Sequence, residues 1–221
     1  WLKEGKYACH GTVFDIGITT QNAIDRYIRV KNTDECGSSL EQDNGNGALM
    51  RMFPIAIFLA FCKRTNFVLT GASTKELQFI YYICGITHKH ERSKLACVIY
   101  VQLILWLLRG SSLKTAMKQA YIRGCHVYIE NAEECHMAGN ETKTYDYTVF
   151  MDIIYGRYSR DRIKSTGYVV DTLQAVFWCL ANTLSYHDCV LTAVNLGGDT
   201  DTIAAIAGSV AGIYYRRKLK K

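Results

Sequence analysis

Proline is almost missing from this chain. Pro54 is the only one in 221 residues, so very little along its length forbids helix. Strict apolar–polar alternation bounded by turn dipeptides is also missing, which argues against a β-sandwich or barrel. The longest apolar run, 95–108, contains Gln102 and is too short to span a bilayer comfortably, so it reads as a buried core helix. Cysteines stand at positions 9, 36, 62, 84, 97, 125, 135, 179 and 189, with no C-x-x-C pair among them. An odd count without zinc spacing points to a reducing cytoplasm and not to a secreted disulfide scaffold. No signal peptide is visible. No stretch interleaves basic and aromatic residues as a nucleic-acid platform needs. Much of the excess positive charge, +6 overall, sits in RRKLKK at 216–221, a solvated tail at the negative end of a helix.

Helical periodicity fills what remains. It predicts helices over 18–30, 54–66, 74–88, 92–109, 111–122, 168–184, 186–194 and 201–216, with loops at 31–48 and 124–165. In the 168–184 helix, Val169, Leu173, Val176, Phe177 and Leu180 share an apolar face, with Asp171 and Gln174 off it. Glu130, Glu133, Glu134 and Glu141 read as an acidic, solvated loop. With no internal repeat or linker, residues 1–221 are expected to form one all-α domain.

The most informative stretch is LGGDTDTIAAIAGSVAG at 196–212. Asp199 and Asp201 follow a Gly-Gly turn, with Thr202 beside them, at the start of a helix of small residues. Two carboxylates and a hydroxyl converging on one point form the oxygen donor set that Mg²⁺ prefers. Capping the helix would need only one of them. Ala204, Ala205, Gly208, Ala211 and Gly212 lie on one stripe, so a neighbouring helix can approach closely.

Further blocks accompany it in order: FDIGITT at 14–20, NGNGALMR at 44–51, THKH at 87–90 and STGYVVDTLQA at 165–175. Together they cover nearly all of the chain and resemble the ADP-ribosylglycohydrolase family, in its bacterial, arginine-directed (dinitrogenase-reductase-activating) branch. The resemblance implies an orthogonal multi-helix bundle with a metal site in a central cleft. It implies hydrolysis of the N-glycosidic bond between ADP-ribose and a modified side chain, arginine before serine. The partner is then an ADP-ribosylated protein or ADP-ribose, with no nucleic acid and no membrane. The cofactor implied is Mg²⁺ or Mn²⁺, binuclear in the family.

On the same resemblance, Asp199, Asp201 and Thr202 are metal ligands. Asp15 is the catalytic acid, donating a proton to the ribose ring oxygen; for an isolated aspartate, capping the helix near Ile18 would be the reading. Asn46 and Gly47 line the ribose and pyrophosphate pocket, where glycine-rich backbone ahead of a helix offers N–H groups to phosphate. Arg51 pairs with an acidic neighbour or touches ligand. His88 and Tyr168 lie near the substrate, while His90 reads as a surface residue. One family block, a Thr/Ser-Asp-Asp-Thr run, has no counterpart here, and WLKEGKY reads as the middle of a helix. The chain is therefore expected to be N-terminally incomplete, with half of the metal site missing. The alternative is an impaired, ADP-ribose-binding or structural remnant of the family.

Overall fold

A computed structural model of the chain describes residues 2–61, 74–134 and 145–218. All its regular elements are helical: α1 Ile18–Val30, α2 Phe53–Phe61, α3 Thr74–Gly85, α4 Glu91–Leu108, α5 Leu113–Glu134, α6 Tyr145–Ile154, α7 Val169–Ala181, α8 Tyr186–Val194 and α9 Thr200–Lys218. Among the described residues there are two isolated β-bridges, Ser38 with His88 and Gly45 with Tyr168, and the expected all-α class holds.

The centre of the bundle is α4. From Leu95 to Leu105 every one of its residues is buried except at its flanks beyond, as an apolar helix surrounded on all sides must be. It packs against α2, α3, α5, α7 and α9. His90 caps its start, the ring accepting the Arg92 N–H at 3.2 Å, and so is not the surface residue expected of it. Pro54 sits in the first turn of α2, where an amide proton has no helical partner to lose. Phe177 on α7 meets Phe150 on α6 edge-on at 4.9 Å, a favoured ring geometry. Tyr100 of α4 and Ser209 of α9 share a hydroxyl hydrogen bond of 2.6 Å; burial pushes the Tyr100 phenol up to about 12.

Several expectations give way. Helix α5 continues to Glu134, twelve residues past its expected end, and α6 occupies part of the expected 124–165 loop. Gly124 looks like a stop signal but serves close packing: a Cβ there would lie 2.4 Å from Ile99 Cγ1 of α4. Glu130, Glu133 and Glu134 are therefore helical, while Glu141 lies outside the described residues, as do 62–66 of the expected second helix. The opening segment is turn and coil from residue 2 to 17, not helix interior. Only part of the small-residue stripe on α9 is covered. Ala211 is buried, yet Ala204, Ala205, Gly208 and Gly212 line an open groove of about 820 Å³. No described helix is long and apolar enough to cross a membrane.

Candidate active site

Helix α9 starts against a turn that precedes α7. Gly198 has φ +65°, and a Cβ on it would come within 2.1 Å of the Ser165 carbonyl oxygen. Only glycine allows this approach, and it lets the Asp199 N–H donate to that same carbonyl at 2.9 Å. The Asp199 carbonyl accepts the Ile203 N–H at 3.2 Å, so Asp199 is the backbone cap of α9. Its side chain is used elsewhere. Oδ2 accepts a 2.6 Å hydrogen bond from Asn46 Nδ2.

That bond ties three segments together. Asn46, 8% exposed, also donates to Thr172 Oγ1 at 2.9 Å. Thr172 in turn donates to the Thr166 carbonyl at 3.0 Å, and Thr166 donates its hydroxyl proton to Asp171 at 2.7 Å. The backbone repeats the connection: Asn46 N–H donates to Gly167 O at 2.9 Å and Val169 N–H to Asn44 O at 3.0 Å. Asn46 and Thr172, the buried members, are tolerated there because each finds a partner. The loop at 43–47, the turn at 165–168 and the start of α9 thus form one unit.

Asp201 and Thr202 follow Asp199 on the first turn of α9. Asp201 is exposed and its Oδ1 accepts the Thr202 N–H at 2.8 Å; Thr202 is buried. Among the described residues no group of three or more His, Cys, Asp and Glu side chains assembles. The donors at this helix start are two carboxylates and a hydroxyl, all hard oxygens, and such a set suits one hard cation with water completing its shell.

His88 lies opposite, 2% exposed. Its Nε2 is 3.6 Å and 3.5 Å from the Cβ positions of Gly45 and Gly47. Burial and the nearby Arg51 guanidinium hold the ring down at about 4, against a smaller opposing pull from Asp43. Arg51 pairs with no carboxylate in these contacts: it donates to the Gly47 carbonyl at 3.2 Å, the Ile83 carbonyl at 3.0 Å and Thr87 Oγ1 at 2.8 Å. Asp43 accepts a short hydrogen bond from Ser38 Oγ and a 3.5 Å one from Thr19 Oγ1 of α1. Tyr168 precedes α7, half-buried, with the Arg92 guanidinium 5.8 Å from its ring centre; Arg92 also meets Glu41 at 3.2 Å.

Asp15 stands apart from this network. It has φ +50°, an uncommon conformation for a residue other than glycine, and is exposed on the segment leading into α1. It does not cap α1; Gly17 holds that position without a side-chain bond. Thr20 Oγ1 lies 3.2 Å from the Cβ position of Gly47, so the first turn of α1 borders the same loop. The structure therefore joins Asn46, Gly47, His88, Tyr168 and Asp199 through shared contacts, puts Asp201 and Thr202 on the adjoining helical turn, and leaves Asp15 at the edge. Sequence reasoning missed Thr166, Thr172 and Thr87, whose hydroxyls organise the site. The run of hydroxyl residues at 165–166 before a glycine was the available signal.

The all-α bundle thus gathers an acidic helix start, a glycine loop and a buried histidine around one set of turns. The chain matches the ADP-ribosylglycohydrolase family model over residues 1–218 and belongs to that family. It is similar to an ADP-ribosylarginine hydrolase Tri1 of Serratia proteamaculans (strain 568), 31% identical over 97% of this chain and 50% of the relative. The homonymous protein of Pseudomonas putida (strain GB-1) is 29% identical over the same shares, 97% and 50%. The ADP-ribosyl-[dinitrogen reductase] glycohydrolase of Rhodospirillum rubrum is 26% identical over 91% of this chain and 55% of the relative. A solved structure described as an ADP-ribosylglycohydrolase-related protein complex superposes with a TM-score of 0.62 at 25% identity, covering 90% of this chain and 59% of the other. The chain thus spans about half the length of the curated relatives it matches.

Proposed function

We propose that the chain carries the substrate-binding core of an ADP-ribosylarginine hydrolase. The observation that carries this reading is the unit joining Asp199, Asn46 and the 165–168 turn, faced by His88 across the glycine loop. Asp199, Asp201 and Thr202 are the residues that would hold a divalent Mg²⁺ or Mn²⁺. A cation bound there supplies Lewis-acid polarisation at the ribose and charge for its hydroxyl oxygens. A second ion, as in a binuclear centre, needs ligands beyond these three. Asn46 fixes the rotamer of Asp199, and preorganised carboxylates of this kind lose less freedom when the ligand arrives.

The glycine backbone of the 45–47 loop lets the ribose and pyrophosphate approach its N–H groups. Tyr168 borders that loop through its bridge to Gly45 and offers a ring face to the ligand. Asp15 is the proton donor in this reading. It protonates the ribose ring oxygen as the ring C–O bond breaks and the guanidino nitrogen forms a C=N bond to the same carbon. Water adds to that carbon, returning a proton to the Asp15 carboxylate. The adduct then collapses, its hydroxyl proton passing to the departing arginine nitrogen as the C–N bond breaks and ADP-ribose is left. The partner is an ADP-ribosylated protein, with arginine favoured as the linkage. Free thiols on the described cysteines support the cytoplasm as its compartment. The exposure of Asp15 favours a second reading, in which the chain holds ADP-ribose without turning it over.

The deciding experiment follows ADP-ribose release from an ADP-ribosylarginine peptide, with Mg²⁺ and with EDTA, in the wild type and Asp199→Asn. Release that needs Mg²⁺ and falls on the order of 10³-fold in the variant is expected, since several kcal/mol of charge stabilisation is lost. Release indifferent to both EDTA and Asp199→Asn would sink the proposal. ADP-ribose binding without release would establish the second reading.

A further inference from the structure

The groups around His88 determine which of its nitrogens carries the proton. The residue is clamped in place: Ser38 N–H donates to Thr87 O at 3.1 Å, and Lys89 N–H donates back to Ser38 O at 2.7 Å. The ring nitrogen Nδ1 lies 2.6 Å from Thr87 Oγ1. That oxygen already accepts from Arg51 Nη2 at 2.8 Å, and a guanidinium can only donate. The threonine proton must therefore go elsewhere. Among the described residues, Arg51 Nη2 and His88 Nδ1 are the hydrogen-bond partners of Thr87 Oγ1. Nδ1 is the acceptor left for it.

A ring that accepts at Nδ1 carries its proton on Nε2. Nε2 is the edge turned to the loop, near the Cβ positions of Gly45 and Gly47, and Cε1 is only 3.1 Å from the latter. A side chain at Gly47 would press on this edge. We propose that Arg51 and Thr87 are positioning residues, which together hold His88 as a neutral ring that offers Nε2–H across the 45–47 loop to an acceptor oxygen of the ADP-ribosyl group. The ligand in this statement rests on the hydrolase reading; the tautomer does not.

The charged groups facing the ring are Arg51, from the turn Leu49–Arg51, and Asp43, from the adjoining loop. The former, with burial, outweighs the latter and keeps the imidazole uncharged. His88 thus donates a hydrogen bond as a neutral group of constant strength, and serves neither as a cation for phosphate nor as a general acid.

Long-range ¹H–¹⁵N NMR on the full chain reads the proton position directly. The wild type is expected to show His88 protonated at Nε2, unprotonated at Nδ1, and unchanged through the ordinary histidine titration range. Thr87→Val removes the donor to Nδ1 while keeping shape, and is expected to give a mixture of tautomers; Thr87→Ser is expected to restore the single one. A wild-type Nδ1–H ring, or an unaltered tautomer in Thr87→Val, overturns the proposal. Because the wild-type spectrum decides by itself, a poorly folding variant does not blunt the test. Saturating ADP-ribose is expected to move the Nε2–H resonance, and an unmoved ring overturns the ligand half. Failure of the hydrolase reading registers separately, as absent release from ADP-ribosylarginine, with the tautomer intact.

Discussion

Residues 2–18 and the unit around Asp199 both carry groups assigned to the same reaction, yet they are built in opposite ways. In the first, Tyr7, Phe14 and Ile18 are 88%, 66% and 78% exposed, and Asp15 sits in a left-handed conformation among them. In the second, Asn46, His88, Thr172 and Thr202 are buried, and hydrogen bonds run from one segment to the next. The difference is between a group whose place depends on what it meets and groups placed by the fold itself. In the proposed function, recognition of the ribose and phosphates falls to the hydrogen-bonded unit, whose geometry is set before ligand arrives. The proton donation proposed for Asp15 would depend on how the segment before α1 lies over the 45–47 loop.

Acid should expose the difference most. His88 has its pKa lowered to about 4 from 6.5, so between those values the unfolded chain binds more protons than the folded one. The contribution of the neutral ring is then fully present above the unfolded value and is lost as pH falls toward the folded one. This amounts to at most about 3 kcal/mol, from 1.36 kcal/mol for each pKa unit. Urea midpoints measured across this range should fall in the wild type and fall less in His88→Gln; parallel profiles would break the contrast.

Gly198→Ala comes next. With φ +65° and the Ser165 carbonyl 2.1 Å from the new Cβ, it should cost about 1–3 kcal/mol and release Asp199 from the 165–168 turn. Chemical denaturation measures the cost, and a loss under about 0.5 kcal/mol would mean that this junction is soft. The smallest effect is expected in the other region. Phe14→Ser should shift stability by no more than about 0.5 kcal/mol, as at ordinary surface positions. A larger loss by the same assay would show that the segment is packed after all.

Helix existence was legible because apolar spacing repeats with the helical period, and α1, α4, α7, α8 and α9 fall close to where that spacing puts them. Ends were less legible. Gly124 carries the signature of a terminator, but its lack of a Cβ is used by Ile99 across the helix interface, so α5 runs on to Glu134. The acidic helix start at Asp199 was readable from residue types alone. Its partner was not, since Asn46 is 153 positions away and nothing local to either residue encodes the meeting.

By itself, the sequence determined the helical class, the family and the oxygen donors at the head of α9, because periodicity, short motifs and residue chemistry are local properties of a chain. Only the tertiary structure decided that Asn46 holds Asp199, that Arg51 bonds carbonyls and a hydroxyl where a carboxylate was one expectation, and that His88 turns Nε2 toward the loop. Those outcomes depend on which distant groups are buried together. Burial is what makes each polar atom take a partner, and the long-range packing of α3, α4, α7 and α9 chooses the partner that is there.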